Sequence, residues 1–209
     1  MKGLYFFPLL LLLGCTATKL TSSWTAPTAG AKNYRQLLVV STVQNEDSVL
    51  RIAMEDRMVA ALKTIGYNAI AFHQAFRPGA LRSMRYDSVR QRLSEKGIDG
   101  VITIGLLAKE SESSYVKDRV SARPESAPMG SFWESPATTV KQEIGKPGYY
   151  VTTTEYYWES NFYDVNTIAL LYNARTTAFD VTSAQSLAGK YGKLIVDDLQ
   201  KNYVLTVKR

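Results

Sequence analysis

The chain has one cysteine, Cys15, and one histidine, His73, in 209 residues. One cysteine forms no internal disulfide, and a metal centre more often recruits several imidazoles or thiolates than a single one. Glycine is missing where a nucleotide would need it. The loop after the first β-favouring run, Ser41-Thr42-Val43-Gln44-Asn45, contains none, and neither G-x-G-x-x-G nor a P-loop occurs elsewhere, so no backbone cradle for phosphate is expected. No serine lies in G-x-S-x-G, the setting of the nucleophile in many hydrolases. Beyond the amino terminus, no apolar run approaches the ~20 residues that cross a bilayer as a helix. The sequence therefore implies no cofactor and no metal ion.

What is present is an address. Lys2 precedes a short apolar stretch, Leu4 to Leu13, within the roughly 7–15 residues of a signal-peptide core and too short to span. The stretch ends in Leu12-Leu13-Gly14-Cys15, which resembles the lipobox of bacterial lipoproteins. That resemblance implies removal of residues 1–14 as a signal peptide, thioether lipidation of Cys15 and acylation of the new amino terminus, as by palmitate. The alternative, an ordinary cleaved signal, lacks a small-residue site of the A-x-A type just upstream. One acyl chain holds a protein only marginally, at ~0.8 kcal/mol per buried CH₂, whereas several anchor it stably. Residues 15–34, rich in Thr, Ser, Ala, Pro and Gly, read as the lipidated amino terminus and a flexible tether, with Trp24 the exception between Thr16 and Lys32. Thr16 rather than Asp follows the cysteine. By resemblance to Gram-negative sorting rules, this implies the outer membrane, facing the periplasm; a Gram-positive host would place the anchor on the outer surface of the cytoplasmic membrane.

The formal charge is +6, and removing Lys2 with the leader leaves +5. An exported protein does not meet nucleic acid, so the excess suits anionic headgroups or simply solubility. Arg77, Arg82, Arg85, Arg90 and Arg92, with Lys96, crowd one region against only Asp87 and Glu95. They are a candidate basic patch, and otherwise a solvated face.

The rest of the chain predicts an α/β fold: a βαβαβ core, then an antiparallel meander and a C-terminal helix, forming one mixed sheet with helices packed on it. Leu37 to Val43 reads as a strand buried on both faces. Over Asn45 to Ile65, the residues Leu50, Ala53, Met54, Met58, Ala61, Leu62 and Ile65 recur on one helical face, and Gly66 suits the position just past its end. Tyr67 to Phe72 returns as a second strand, a shorter helix through Val89 and Leu93 ends at Gly97, and Val101 to Leu107 makes a third parallel strand. Residues 108–148 read as a long loop with Pro124, Pro128, Pro136 and Pro147, either an interaction segment or disordered. Tyr149 to Tyr163 and Asp164 to Tyr172 follow as strands, with a turn at Asn173-Ala174-Arg175-Thr176 into Thr177 to Thr182. A last helix covers Ser186 to Asn202, and Tyr203 to Val207 could add an edge strand. Residues 35–209 are thus expected to form a single domain.

The order of these elements resembles a known group. A strand, a helix bearing Glu55-Asp56, Gly66-Tyr67-Asn68-Ala69 entering a strand, and Gly97-Ile98-Asp99-Gly100-Val101 entering the next resemble the core of small envelope lipoproteins. Leu171-Tyr172-Asn173-Ala174-Arg175-Thr176 is similar to their Tyr-Asp-x-x-Thr turn, with Asn173 where Asp is usual. The group includes the N-terminal domain of TolB and the curli secretion lipoprotein. The similarity spans residues 35 to 205 and implies a part in assembling envelope complexes rather than catalysis.

Catalytic candidates are few. His73 could act as a general base, but the sequence identifies no partners for it; otherwise it is a packed or hydrogen-bonded residue. Glu55 and Asp56, like Asp197 and Asp198, are adjacent on a helix and point about 100° apart, so neither pair suits a shared substrate. The most suggestive surface is the aromatic strand. Alternation places Tyr150, Tyr156 and Trp158 on one side, with Tyr149, Tyr157 and Tyr163 on the other. Tyr150, Tyr156 and Trp158, together with Phe132 and Trp133 in the long loop, are the candidate partner contacts, since exposed aromatics mark such sites. The alternative is cross-strand packing within the sheet. The expected function is a noncatalytic lipid-anchored envelope protein that binds a protein partner or oligomerises at the membrane. The alternative is a hydrolase acting on cell wall or glycan through His73.

Overall fold

The structure is a computed structural model that describes residues 18–30, 32–43, 47–77, 79–81, 84–116, 149–179 and 183–208. Cys15, Arg82, Phe132 and Trp133, and the side chain of Tyr150, lie outside the described residues. Two compact units divide the chain: residues 1–110 with 154–209, and residues 111–153.

The fold is a mixed α/β sheet with helices packed on it and a helix at the C-terminal end. Its strands are β1 (Thr18–Thr25), β2 (Leu37–Ser41), β3 (Ala69–Ala71), β4 (Gly100–Val116), β5 (Tyr149–Asp164) and β6 (Ala169–Phe179). They lie in the order β1-β6-β5-β4-β2-β3. The expected parallel core is present: Leu37 pairs with Ala69 of β3 and with Gly100 of β4, and both ladders are parallel. On the other side, β6 is antiparallel to both β5 and β1.

Helix α1 (Ser48–Thr64) buries Ala53, Met54, Met58 and Leu62 of the stripe predicted from the 3.6-residue period, and Val59 beside them. It packs with α4 (Ala184–Lys201) on one sheet face, over Leu37, Val39, Ile102, Ile104, Trp158 and Phe162. The opposite face carries α3 (Tyr86–Glu95), where Leu38 meets Phe76, Leu93 and Ile98. Successive residues of β2 therefore face different cores, and the strand is dry on both sides. Gly192 of α4 lies against the α1 backbone; a Cβ there would sit 3.1 Å from the Arg57 carbonyl oxygen.

Two helix ends follow from glycine. Gly66 (φ 87°) donates to Lys63 O while Tyr67 N reaches Leu62 O, and Gly97 (φ 72°) and Ile98 repeat the pattern on Ser94 and Leu93. These are Schellman ends, in which a left-handed residue lets the last carbonyls find donors. Helix α4 closes in the same way, through Tyr203 N to Gln200 O and Val204 N to Leu199 O, but its left-handed residue is Tyr203, at φ 56°.

Four expectations need correction. Residues 18–25 belong to an edge strand rather than a flexible tether, because their backbone pairs with β6 from Thr18↔Ala178 to Thr25↔Tyr172. Residues 108–116 of the expected loop belong to β4, which runs on to Val116, and the remainder, 117–148, lies outside the described residues. Asn173 to Thr176 is not a turn: the chain reverses at residues 165–168, and β6 passes straight through. Residues 203–207 form no strand; Val204 and Leu205 are instead buried in the main core.

Buried carboxylates bind the connections. Asp99 accepts the backbone N–H groups of Arg35 and Gln36. Asp164 accepts those of Asn166 and Thr167, each at 2.9 Å, and pairs with Lys32 at 2.6 Å. Burial alone would raise the Asp164 carboxyl, but the hydrogen bonds from Lys32 and Thr167 and the Lys32 charge hold its pKa below the ordinary carboxylate value.

A depressed folded pKa means that the native state binds this proton less readily than the unfolded chain. The stabilisation is complete above the ordinary carboxylate pKa and disappears as pH falls through the lower native value. Asp164→Asn should flatten the acid limb of the stability curve, read by urea unfolding between about pH 5 and pH 2. Replacing Tyr203 by Gly should raise stability by about 1 kcal/mol, measured in the same way, because a side chain at positive φ is strained.

Candidate functional site

Glu55 is 1% exposed, in the second turn of α1. Its Oε1 accepts the backbone N–H of Ser41 at 3.0 Å, where β2 ends. Its Oε2 accepts the backbone N–H of His73 at 3.0 Å and lies 2.7 Å from His73 Nδ1. His73 sits on α2 (Phe72–Ala75), the short helical turn that follows β3. Its other nitrogen, Nε2, lies 3.3 Å from Asp56 Oδ1, which also accepts from Gln74 Nε2 at 3.3 Å. The structure thus brings together the one histidine and the Glu55-Asp56 pair.

Adjacent helix positions do diverge, as expected, yet an imidazole has nitrogens on opposite edges and fits between two diverging carboxylates. Sequence reasoning found no partner for His73 because the two carboxylates lie 18 and 17 positions earlier, across a helix and a strand. An ionised carboxylate only accepts, so the Glu55 contact suits the tautomer whose proton is on Nδ1. Both ring nitrogens face carboxylate oxygens, and neither is aimed at a nucleophile among the described residues. Ser41 Oγ is buried without a hydrogen-bond partner, but only the backbone of Ser41 touches the cluster.

Asp56 also lines a surface cavity of about 500 Å³, with Val49, Ile52, Ala53 and Arg57 of α1 and Gln185 of α4. Val49 and Ile52 are among the exposed large apolar side chains.

Trp158, expected as a partner contact, is fully buried. α4 covers that side of β5, and Trp158 packs 5.7 Å from Tyr191, centroid to centroid. Tyr156 is partly buried, stacked 6.2 Å from Trp158 and covered by the Lys109 ammonium. Period-two alternation identified the face; only the placement of α4 shows that this face is the core. Tyr157, on the opposite side, reaches Glu110 at 3.5 Å. That side also carries a polar chain across the strands, from Asn173 to Asn161 to Glu159, which pairs with Arg175.

Arg77, Arg85, Arg90 and Arg92 are all exposed. Arg85 and Arg92 stand seven residues apart on one side of α3, whereas Arg90 is turned about 140° from Arg85. They form a broad basic region rather than a converging site.

No protein family and no curated protein matches the chain in sequence. Solved structures similar to it include a PelC dodecamer from Paraburkholderia phytofirmans, at 11% identity over 92% of this chain and 99% of that one, with a TM-score of 0.47. The lipoprotein GNA1162 from Neisseria meningitidis is similar at 15% identity over 79% of this chain and 98% of that one, with a TM-score of 0.41.

The cluster makes a stability prediction. Glu55→Ala strands two backbone donors and should cost about 3 kcal/mol, while His73→Ala removes one charge-assisted bond and should cost about 1–2 kcal/mol, both read by urea unfolding.

Proposed function

We propose that this chain is a noncatalytic protein held in the bacterial envelope by lipid on Cys15, where its domain binds a protein partner or a second copy of itself. The observation that carries the reading is Leu12-Leu13-Gly14-Cys15, a lipobox directly ahead of a folded sheet domain. Triacylated cysteine anchors a protein without any spanning segment, and no helix among the described residues is long and apolar enough to cross a membrane. The resemblance of the parallel core's element order to envelope lipoproteins supports an assembling role, although Asn173 to Thr176 does not form the turn that was part of it. Thr16 after the cysteine favours the outer membrane, facing the periplasm.

The engagement of both His73 nitrogens supports a structural place for that residue. The same pairing with Glu55 is the one observation that favours the hydrolase reading, since a carboxylate orients the imidazole of many general bases. Trp158 no longer belongs to the proposed contact surface. Tyr150, Phe132 and Trp133 remain the aromatic candidates, and Tyr156 contributes only its uncovered edge.

Cys15→Ser should move the protein from the membrane to the soluble fraction of lysed cells. Crosslinking in intact cells, followed by mass spectrometry, should yield a species joining the chain to an envelope protein or to itself; a strictly monomeric product would overturn the proposal. Purified chain, wild type or His73→Ala, should release nothing from isolated cell-wall material, and release by the wild type alone would establish the hydrolase instead.

A further inference from the structure

We infer that one end of the sheet domain rests on the lipid surface, with Lys19, Arg77 and Arg85 beside the headgroups and the opposite end held away from it. The inference depends on lipidation of Cys15 as proposed above and adds the orientation that such an anchor imposes. Only Thr16 and Ala17 separate Cys15 from Thr18, the first residue of β1. Three residue steps reach about 10 Å even when fully extended. Thr18 is 8% exposed and paired with Ala178, so the strand start is part of the domain and cannot trail behind a long tether.

Strand polarity determines what else lies at that end. Gly100 approaches Phe162, Gly105 approaches Glu159 and Glu110 meets Tyr157, so β5 runs antiparallel to β4. β6 is antiparallel to β5, and β1 to β6. The start of β1 therefore shares an end with the finish of β2 and β3, and with the first turns of α1 and α4, where Val49 and Gln185 line one cavity. Arg77 follows α2 and Arg85 precedes α3, which places both at this end. The far end holds Thr25, Lys96 and Lys201, about 25 Å away along α1.

The near end suits a headgroup layer. The same end carries exposed bases and, on the α1 face, the exposed apolar side chains of Val49 and Ile52, the mixture that settles at a membrane boundary. Asp47, Asp87, Glu110 and Glu155 at the same end offset the bases, so the short tether, and not net charge, sets the orientation. The anchor sits at a sheet edge, and a domain pivoting on it could instead lie along β1. Arg85, on the face away from α1 and α4, separates the two poses.

Because Cys15 is consumed by lipid, each new cysteine is a unique labelling site. The mature lipidated protein, carrying a bimane at Lys19→Cys, Arg85→Cys, Ser23→Cys or Lys96→Cys, is reconstituted in phosphatidylethanolamine–phosphatidylglycerol vesicles with nitroxide headgroups. Labels at Lys19 and Arg85 should be quenched at least about threefold more than those at Ser23 and Lys96. A Gly/Ser linker of about 12 residues between Ala17 and Thr18 should abolish that contrast. Equal quenching at all four sites, or quenching of Ser23 with Lys19 but not Arg85, overturns the orientation. The mass of the amino-terminal peptide reports lipidation separately: an unmodified Cys15 removes the anchor and the orientation together, whereas a lipidated one with uniform quenching removes only the orientation.

Discussion

A single buried carboxylate holds one end of the parallel half of this sheet together. Glu55 takes the backbone N–H groups of Ser41 and His73 and the His73 ring into one anion. The end of β2 and the start of α2 have no mutual ladder beyond Val39 and Ala71, so these bonds replace the strand pairing that has run out. A carboxyl group at 1% exposure is accommodated because two backbone N–H donors and an imidazole converge on it. Asp99 and Asp164 do the same for the connections at the other end. The helices and strands pack through apolar surface, and the places where the chain changes direction are held by carboxylates.

Much of the parallel half was legible because its signals are local. Leu37 to Val43 has the unbroken apolar run of a strand dry on both faces, and α1 shows the helical period with a glycine just past its end. Gly66 and Gly97 stop helices through their own backbone geometry, which needs no knowledge of the rest of the fold. The end of α4, expected at Asn202 and found at Lys201, owes nothing to that rule, since Tyr203 occupies the left-handed position that glycine ordinarily fills.

What was illegible depends on partners distant in sequence. Thr18 to Thr25 is polar and mostly exposed, so nothing in its pattern distinguishes an edge strand from a tether; pairing with β6 makes it a strand. Trp158 shows the limit of alternation, which sorts side chains into two faces without saying which one a helix will cover. The surroundings of His73 were hidden for another reason. The angular divergence of Glu55 and Asp56 was read correctly, but it counts against a shared substrate and not against a ring held at both edges.

The edge position of β1 also bears on the order in which the chain becomes structured. Thr21 bonds to Arg175 across a sequence separation of 154 residues, so the first strand to leave the ribosome has no partner until β6 exists. Closing so large a loop is entropically costly and slow, and local pairings such as the β5–β6 hairpin form sooner. Residues 18–25 therefore join the sheet late, after the strands they pair with have condensed, and the edge of the sheet is the last part of it to be completed.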